Sequence, residues 1–167
     1  MIKFGVLTIS DRSSQGIRPD SSGPALVDAI QKEGWEAKQS KIIPDEIGEI
    51  KNTLIDWCKD SDFDIILTTG GTGFAPRDIT PEATLAVLEK QTPGIVEAIR
   101  SESMKITKHA MLSRAVAGIR NKTLIINFPG SPKAAIENFN FIKSILPHAV
   151  ELIQNSPTSE QHHNPMV

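Results

Sequence analysis

The sequence predicts an α/β domain with a largely parallel central sheet, and three observations carry that prediction. Brief apolar runs such as Ile65-Ile66-Leu67 are too short for helices and end in turn residues, as buried strands do. Segments with apolar residues at helical spacing separate these runs, giving the alternation β-α-β-α-β-α that places helices over a parallel sheet. Two of the runs also end in loops of similar design, each with glycine, a Thr or Ser suited to capping, and proline at the expected helix start.

The first strand runs from Lys3 to Ser10 on Phe4, Val6, Leu7 and Ile9. Ser13 to Ser22 is rich in Ser and Gly and reads as a loop, with Ser21 or Ser22 capping a helix near Pro24 that buries Leu26, Val27 and Ile30. Gly34 ends that helix, and Glu36 to Ile43 forms the second strand. Asp45 is a natural N-cap for the next helix, whose stripe is Ile47, Ile50, Leu54, Trp57 and Cys58. A strand at Asp64 to Thr68 leads through the glycine loop to a helix capped by Thr80, with Pro81 at its first position and Glu82 at the positive end of its dipole. Thr92-Pro93-Gly94 interrupts before a helix over Ile95 to Met104, and His109 to Arg114 suits one further turn. Ala117 to Arg120 and Thr123 to Asn127 read as strands around an Asn121-Lys122 hairpin turn. Ser131 and Pro132 open a helix carrying Ile136, Phe139, Ile142 and Ile145, and Pro147 restarts it through Val150 and Ile153. Residues 1–154 are therefore one domain, and 155–167 a polar tail expected to be disordered.

Composition narrows the function. The 167 residues balance 18 Lys and Arg against 20 Asp and Glu, a net charge of −2 that leaves no electrostatic footprint for nucleic acid. Cys58 is the only cysteine, so neither an internal disulfide nor a cysteine-based zinc site can form, which suits a reducing cytosol. The start is too short for a signal peptide or membrane span, and no histidine pair has zinc spacing. A soluble, cytoplasmic protein acting on small molecules is expected.

In a parallel sheet, ligands bind at the carboxyl ends of strands. Ser10 and Asp11, Asp45, the loop Gly70-Gly71-Thr72-Gly73 with Asp78, and Asn127 to Ser131 all follow expected strands, so they converge on one rim. The glycines serve either a tight turn or a surface on which phosphate meets backbone N–H groups, though neither the P-loop nor the dinucleotide fingerprint is present. Asp45 is either a cap or a ligand, and Ser113-Arg114 either a helix end or part of the site. Carboxylates beside a glycine loop, without a placed histidine or cysteine nucleophile, favour magnesium and phosphate chemistry, with Asp45 and Asp78 suited to the metal.

Taken in order, Ile9-Ser10-Asp11-Arg12, Pro44-Asp45-Glu46, Thr69 to Gly73 with Arg77 to Thr84, Leu112-Ser113-Arg114 and Asn127 to Pro132 resemble the MogA/MoaB family of molybdenum-cofactor biosynthesis. The resemblance spans about Lys3 to Ile153, and the runs Gly73 to Asp78 and Ala117 to Arg120 look especially like the corresponding domain of gephyrin. It implies a three-layer sandwich and molybdopterin adenylyltransferase activity, in which Mg-ATP and molybdopterin give adenylyl-molybdopterin and pyrophosphate. On this resemblance Asp45 and Asp78 carry magnesium-linked catalysis. Substrates would meet Ser10, Asp11, Gly70, Gly71, Thr72, Gly73, Thr80, Glu82, Ser113, Arg114, Asn127, Pro129, Gly130 and Ser131. It also implies a homotrimer and a molybdate-insertion enzyme as partner. The alternative is a MoaB-like paralogue that binds molybdopterin without efficient adenylyl transfer.

Overall fold

A computed structural model describes residues 1–59 and 62–154; the expected tail lies outside the described residues. Among them, six strands form one mixed sheet in the order β2-β1-β3-β6-β5-β4. The strands are β1 Lys3–Ile9, β2 Glu36–Ile43, β3 Ile65–Thr69, β4 Lys90–Gln91, β5 Ala117–Arg120 and β6 Thr123–Phe128. β2, β1, β3 and β6 run parallel, while β5 lies antiparallel to both β6 and β4. The expected parallel core and Asn121-Lys122 hairpin are present. The two-residue β4 was missed, because Lys90 and Gln91 are exposed and carry no apolar alternation.

The helices are α1 Asp11–Ser14, α2 Ser22–Lys32, α3 Ile47–Trp57, α4 Thr80–Leu85, α5 Pro93–Met104, α6 Pro132–Ile142 and α7 Leu146–Ile153. They cover both faces of the sheet, and the strands sort their side chains with period two. Phe4, Val6, Ile65, Leu67, Leu124 and Ile126 pack with Leu26, Ile30 and Phe139 in one core. Leu7, Ile9, Ile66 and Ile125 turn the other way, toward Ile50, Leu54, Trp57, Ala83 and Val87. Each fully buried Leu or Ile contributes roughly 1.5–3 kcal/mol, so both cores pin the strand register on which the rim depends.

Three expected caps are corrected. The Asp45 side chain does not cap α3: Glu46 holds that position without a side-chain bond, and the Asp45 carboxylate accepts instead from the Asp11 N–H at 2.8 Å. Neither Ser21 nor Ser22 caps α2 with its side chain; Asp20 Oδ1 does, accepting from the N–H groups of Ser22 and Gly23 at 3.1 Å each. Thr80 lies inside α4, its hydroxyl donating to Gly70 O at 2.9 Å. For Asp45 and Thr80 a partner distant in sequence takes the side chain from the local backbone bond that sequence reasoning favours, whereas at α2 a neighbouring aspartate outcompetes the serines. Ser10 and Ser131 do cap, accepting from Ser13 N–H and Ala134 N–H, and the start of the expected Ser13–Ser22 loop belongs to α1.

Candidate active site

Strand order fixes where the rim opens. β1 lies between β2 and β3, so the chain leaves its carboxyl end toward one neighbour while β3 continues on the other side, and a crevice forms there. The loops after β1, β2, β3 and β6 all reach this crevice, a cleft of about 740 Å³. Ser10, Asp45, Gly70, Gly71, Asp78, Gly130 and Ser131 line it together.

The glycine loop is shaped first by its own protein. At Gly70, with φ of +106°, a Cβ would stand 2.2 Å from Ile9 O. At Gly71, with φ of +65°, it would stand 2.3 Å from Thr80 Oγ1 and 3.0 Å from Asp45 Oδ1. Close packing of β1, α4 and the β2 loop therefore demands both glycines. The loop is then tied to its counterpart after β6: Gly70 N–H donates to Phe128 O at 3.1 Å and the Thr69 hydroxyl to Pro129 O at 2.8 Å. The N–H groups of Gly71, Thr72 and Gly73 donate to no described residue.

Both loops pass from one chamber to another within a single residue step. Thr72 and Gly73 leave the polar cleft and, with Pro129 and Asn127, line an adjoining cavity of about 270 Å³. Val96, Ile99, Ala115 and Ala134 make much of that cavity apolar, while Ser113, His109, Glu137 and Asn138 supply polar groups. Ser113 thus stands in the apolar chamber, with its hydroxyl accepting from Ala115 N–H. The buried Asn127 amide is committed inside the fold, donating to Thr68 Oγ1 and Thr84 Oγ1 at 2.9 and 3.0 Å and accepting from Val116 N–H.

Two arginines hold the aspartate loops. Arg77 does not pair with neighbouring Asp78; it grips the Asp11 carboxylate through Nε at 2.5 Å and Nη2 at 3.1 Å. The same Nη2 donates to Asp45 O and to Glu46 Oε1, so one guanidinium joins the loops after β1, β2 and β3. Asp11 and Asp45 complete the clasp by exchanging backbone N–H to carboxylate bonds of 2.8 and 3.0 Å. Arg114 makes the second clasp, donating to Gly73 O at 2.7 Å, to Asp78 O at 2.5 Å and to the Glu82 carboxylate. Asp11, Glu82 and Arg114 therefore spend their side chains on protein partners.

The electrostatics follow from these contacts. Partial burial is the main influence that pushes the Asp45 carboxyl above its ordinary value; nearby Asp11 and Asp78 add to it, while the Asp11 N–H and Arg77 oppose it. The Arg77 hydrogen bond, outweighing desolvation, holds Asp11 below the ordinary carboxylate value. For Glu82, burial raises the carboxyl, yet the Arg114 hydrogen bond, a bond from its own backbone N–H and the Arg114 charge bring it below. Asp78 Oδ2 accepts from Ala75 N–H at 2.9 Å, leaving its other oxygen without a donor among the described residues.

Sequence reasoning missed Asp20 and Arg18, which also line the cleft. Asp20 Oδ2 accepts from the Thr8 hydroxyl at 2.6 Å, joining the end of β1 to the start of α2. An Asp two residues before Ser-Gly-Pro was the available signal for that cap.

A family model described as "probable molybdopterin binding domain" matches residues 5–148. The chain is 46% identical over 165 residues to gephyrin of Dictyostelium discoideum, covering 93% of this chain but only 23% of that protein. It is 44% identical over 154 residues to a molybdopterin adenylyltransferase of Helicobacter pylori, covering 91% of this chain and 88% of the other. The crystal structure of a molybdopterin biosynthesis enzyme MoaB from Thermus thermophilus superposes with a TM-score of 0.88 at 42% identity, covering 94% and 99% of the two chains.

Proposed function

The chain belongs to the molybdopterin-binding-domain family of molybdenum-cofactor biosynthesis, and from that premise we propose that it is a molybdopterin adenylyltransferase. The observation that carries this reading is the meeting of Asp45 and Asp78 with Gly70 and Gly71 in one polar cleft. The proposed reaction transfers AMP from Mg-ATP to the terminal phosphate of molybdopterin. A phosphate oxygen bonds to the α-phosphorus, and the bond from that phosphorus to the bridging oxygen breaks, releasing pyrophosphate.

The donor set suits magnesium: among the described residues, two carboxylates that each keep an oxygen free of donors line one cleft, and no histidine or cysteine lines it. Asp45 and Asp78 would hold the ion, which when bound neutralises charge on the transferring phosphate. The attacking phosphate is already anionic, so alignment and charge stabilisation matter more than a general base. Gly71, Thr72 and Gly73 N–H groups, free of described partners, are suited to receive phosphate oxygens where the two chambers join. The polar cleft then takes the metal and phosphates, and the apolar cavity the flat ring of one substrate.

A cytoplasmic homotrimer that passes its product to a molybdate-insertion enzyme completes the proposal. No described helix is long and apolar enough to cross a membrane. Purified protein given molybdopterin and Mg-ATP should release pyrophosphate and form adenylylated pterin in equal amounts. Pterin binding without product would move the reading to a binding paralogue, and absence of pterin binding would reject both.

A further inference from the structure

Three arginines stand near the cleft, and two of them are held by ion pairs and backbone carbonyls of the protein itself. Arg77 is engaged by Asp11, Asp45 O and Glu46, and Arg114 by Gly73 O, Asp78 O and Glu82. Arg18 differs. It is the one basic side chain among the described residues lining the cleft, and its guanidinium makes no hydrogen bond or ion pair with any of them. Asp20, two residues away, does not claim it, because the Asp20 carboxylate is filled by Thr8, Ser22 and Gly23.

The backbone under Arg18 is nevertheless held. Ile17 N–H and Arg18 N–H both donate to Arg12 O, at 2.9 and 3.3 Å, and Pro19 fixes the next φ. The anchored backbone removes the loop-ordering part of the binding cost, leaving only the rotamer freedom of the Arg18 side chain to be lost around a ligand. The charge inventory supplies the reason for a ligand of one class: Asp45 and Asp78 already bring negative charge to the cleft, and a phosphate adds more. Arginine matches phosphate oxygens with a planar pair of donors.

Resting on the adenylyl-transfer reading, we infer that Arg18 is a substrate-binding residue that contacts a phosphate group held in the polar cleft. Two sources share that chemistry, the polyphosphate of the nucleotide and the terminal phosphate of the pterin. Calorimetric titration of wild type, Arg18→Ala and Arg18→Lys with Mg-ATP, magnesium tripolyphosphate, adenosine and molybdopterin separates them. Arg18→Ala should weaken Mg-ATP and tripolyphosphate about tenfold and leave adenosine within about twofold, with Arg18→Lys intermediate. The salt dependence of Mg-ATP binding should also become shallower in Arg18→Ala. Loss confined to molybdopterin would support the phosphate contact and assign it to the pterin. Wild-type binding of both substrates, unchanged in Arg18→Ala, would overturn the role of Arg18 alone. Failure of the wild type to bind either would overturn the functional reading with it. Unchanged thermal unfolding in both variants would confirm that the comparison is between folded proteins.

Discussion

The cleft at the ends of β1 and β3 is walled by Ser10, Asp45, Asp78 and Ser131, whereas the adjoining cavity is walled by Val96, Ile99, Ala115 and Ala134. One peptide step on each of two loops, Gly71 to Thr72 and Pro129 to Gly130, divides them. A small domain thus sets a polar wall and an apolar wall side by side. Charge is gathered where strand ends and loop backbones expose polar groups. Apolar contact is supplied where α5 and α6 bring side chains from a hydrophobic core to the surface. The glycine loop is the shared wall, and its shape is dictated by Ile9 and Thr80 rather than by an incoming ligand.

Breaking the polar side should have the largest effect. Asp78→Asn should lower turnover by roughly two orders of magnitude while pterin binding persists, as measured by steady-state kinetics beside equilibrium binding. If turnover stayed within a few-fold of wild type, Asp78 would have no place in the chemistry. Damage to the dividing wall comes next. Gly70→Ala puts a side chain against Ile9 O at positive φ, and should cost roughly 2–4 kcal/mol in denaturant unfolding. An unchanged midpoint would show that the loop relaxes freely.

The clasp offers a sharper test of positioning. Arg77→Ala should lower kcat about tenfold with Mg-ATP affinity nearly kept, and should speed amide exchange at Asp11 and Asp45, whose N–H groups depend on the clasp. Arg77→Lys should not restore kcat, since an ammonium cannot reproduce the fork that spans Asp11, Asp45 O and Glu46. Faster exchange with unchanged kcat would make the clasp purely structural. The smallest effect belongs to the apolar side: Ala134→Leu, narrowing the cavity, should raise KM for one organic substrate about fivefold and leave the other within about twofold. Equal changes in both would mean that the chambers are not separate in function.

The contrast between chambers also explains what could be read from the chain. Strands β1, β3 and β6 were legible because fully buried parallel strands leave continuous apolar runs, and the strand-end rule then gathered Ser10, Asp45, Asp78 and Ser131 onto one rim. The caps at Asp45 and Thr80 were misread because their side chains bond across the fold, to Asp11 and Gly70, and no local pattern encodes those partners. Arg77 and Asp11 are far apart in sequence and meet only because β1, β2 and β3 are adjacent. The division of Gly70 to Gly73 between two chambers depends on where α5 and α6 pack, which hydrophobic spacing leaves open. Arg18 carried no motif at all; it stands out only once the other arginines are seen to be engaged.

If phosphates are received where the two chambers join, the amide signals of Gly71, Thr72 and Gly73 report it directly. Titrating Mg-ATP into isotope-labelled protein should shift these three amides together and saturably, with smaller changes at Gly130 and Ser131. Saturable binding that leaves Gly71, Thr72 and Gly73 unmoved while shifting amides elsewhere would contradict it.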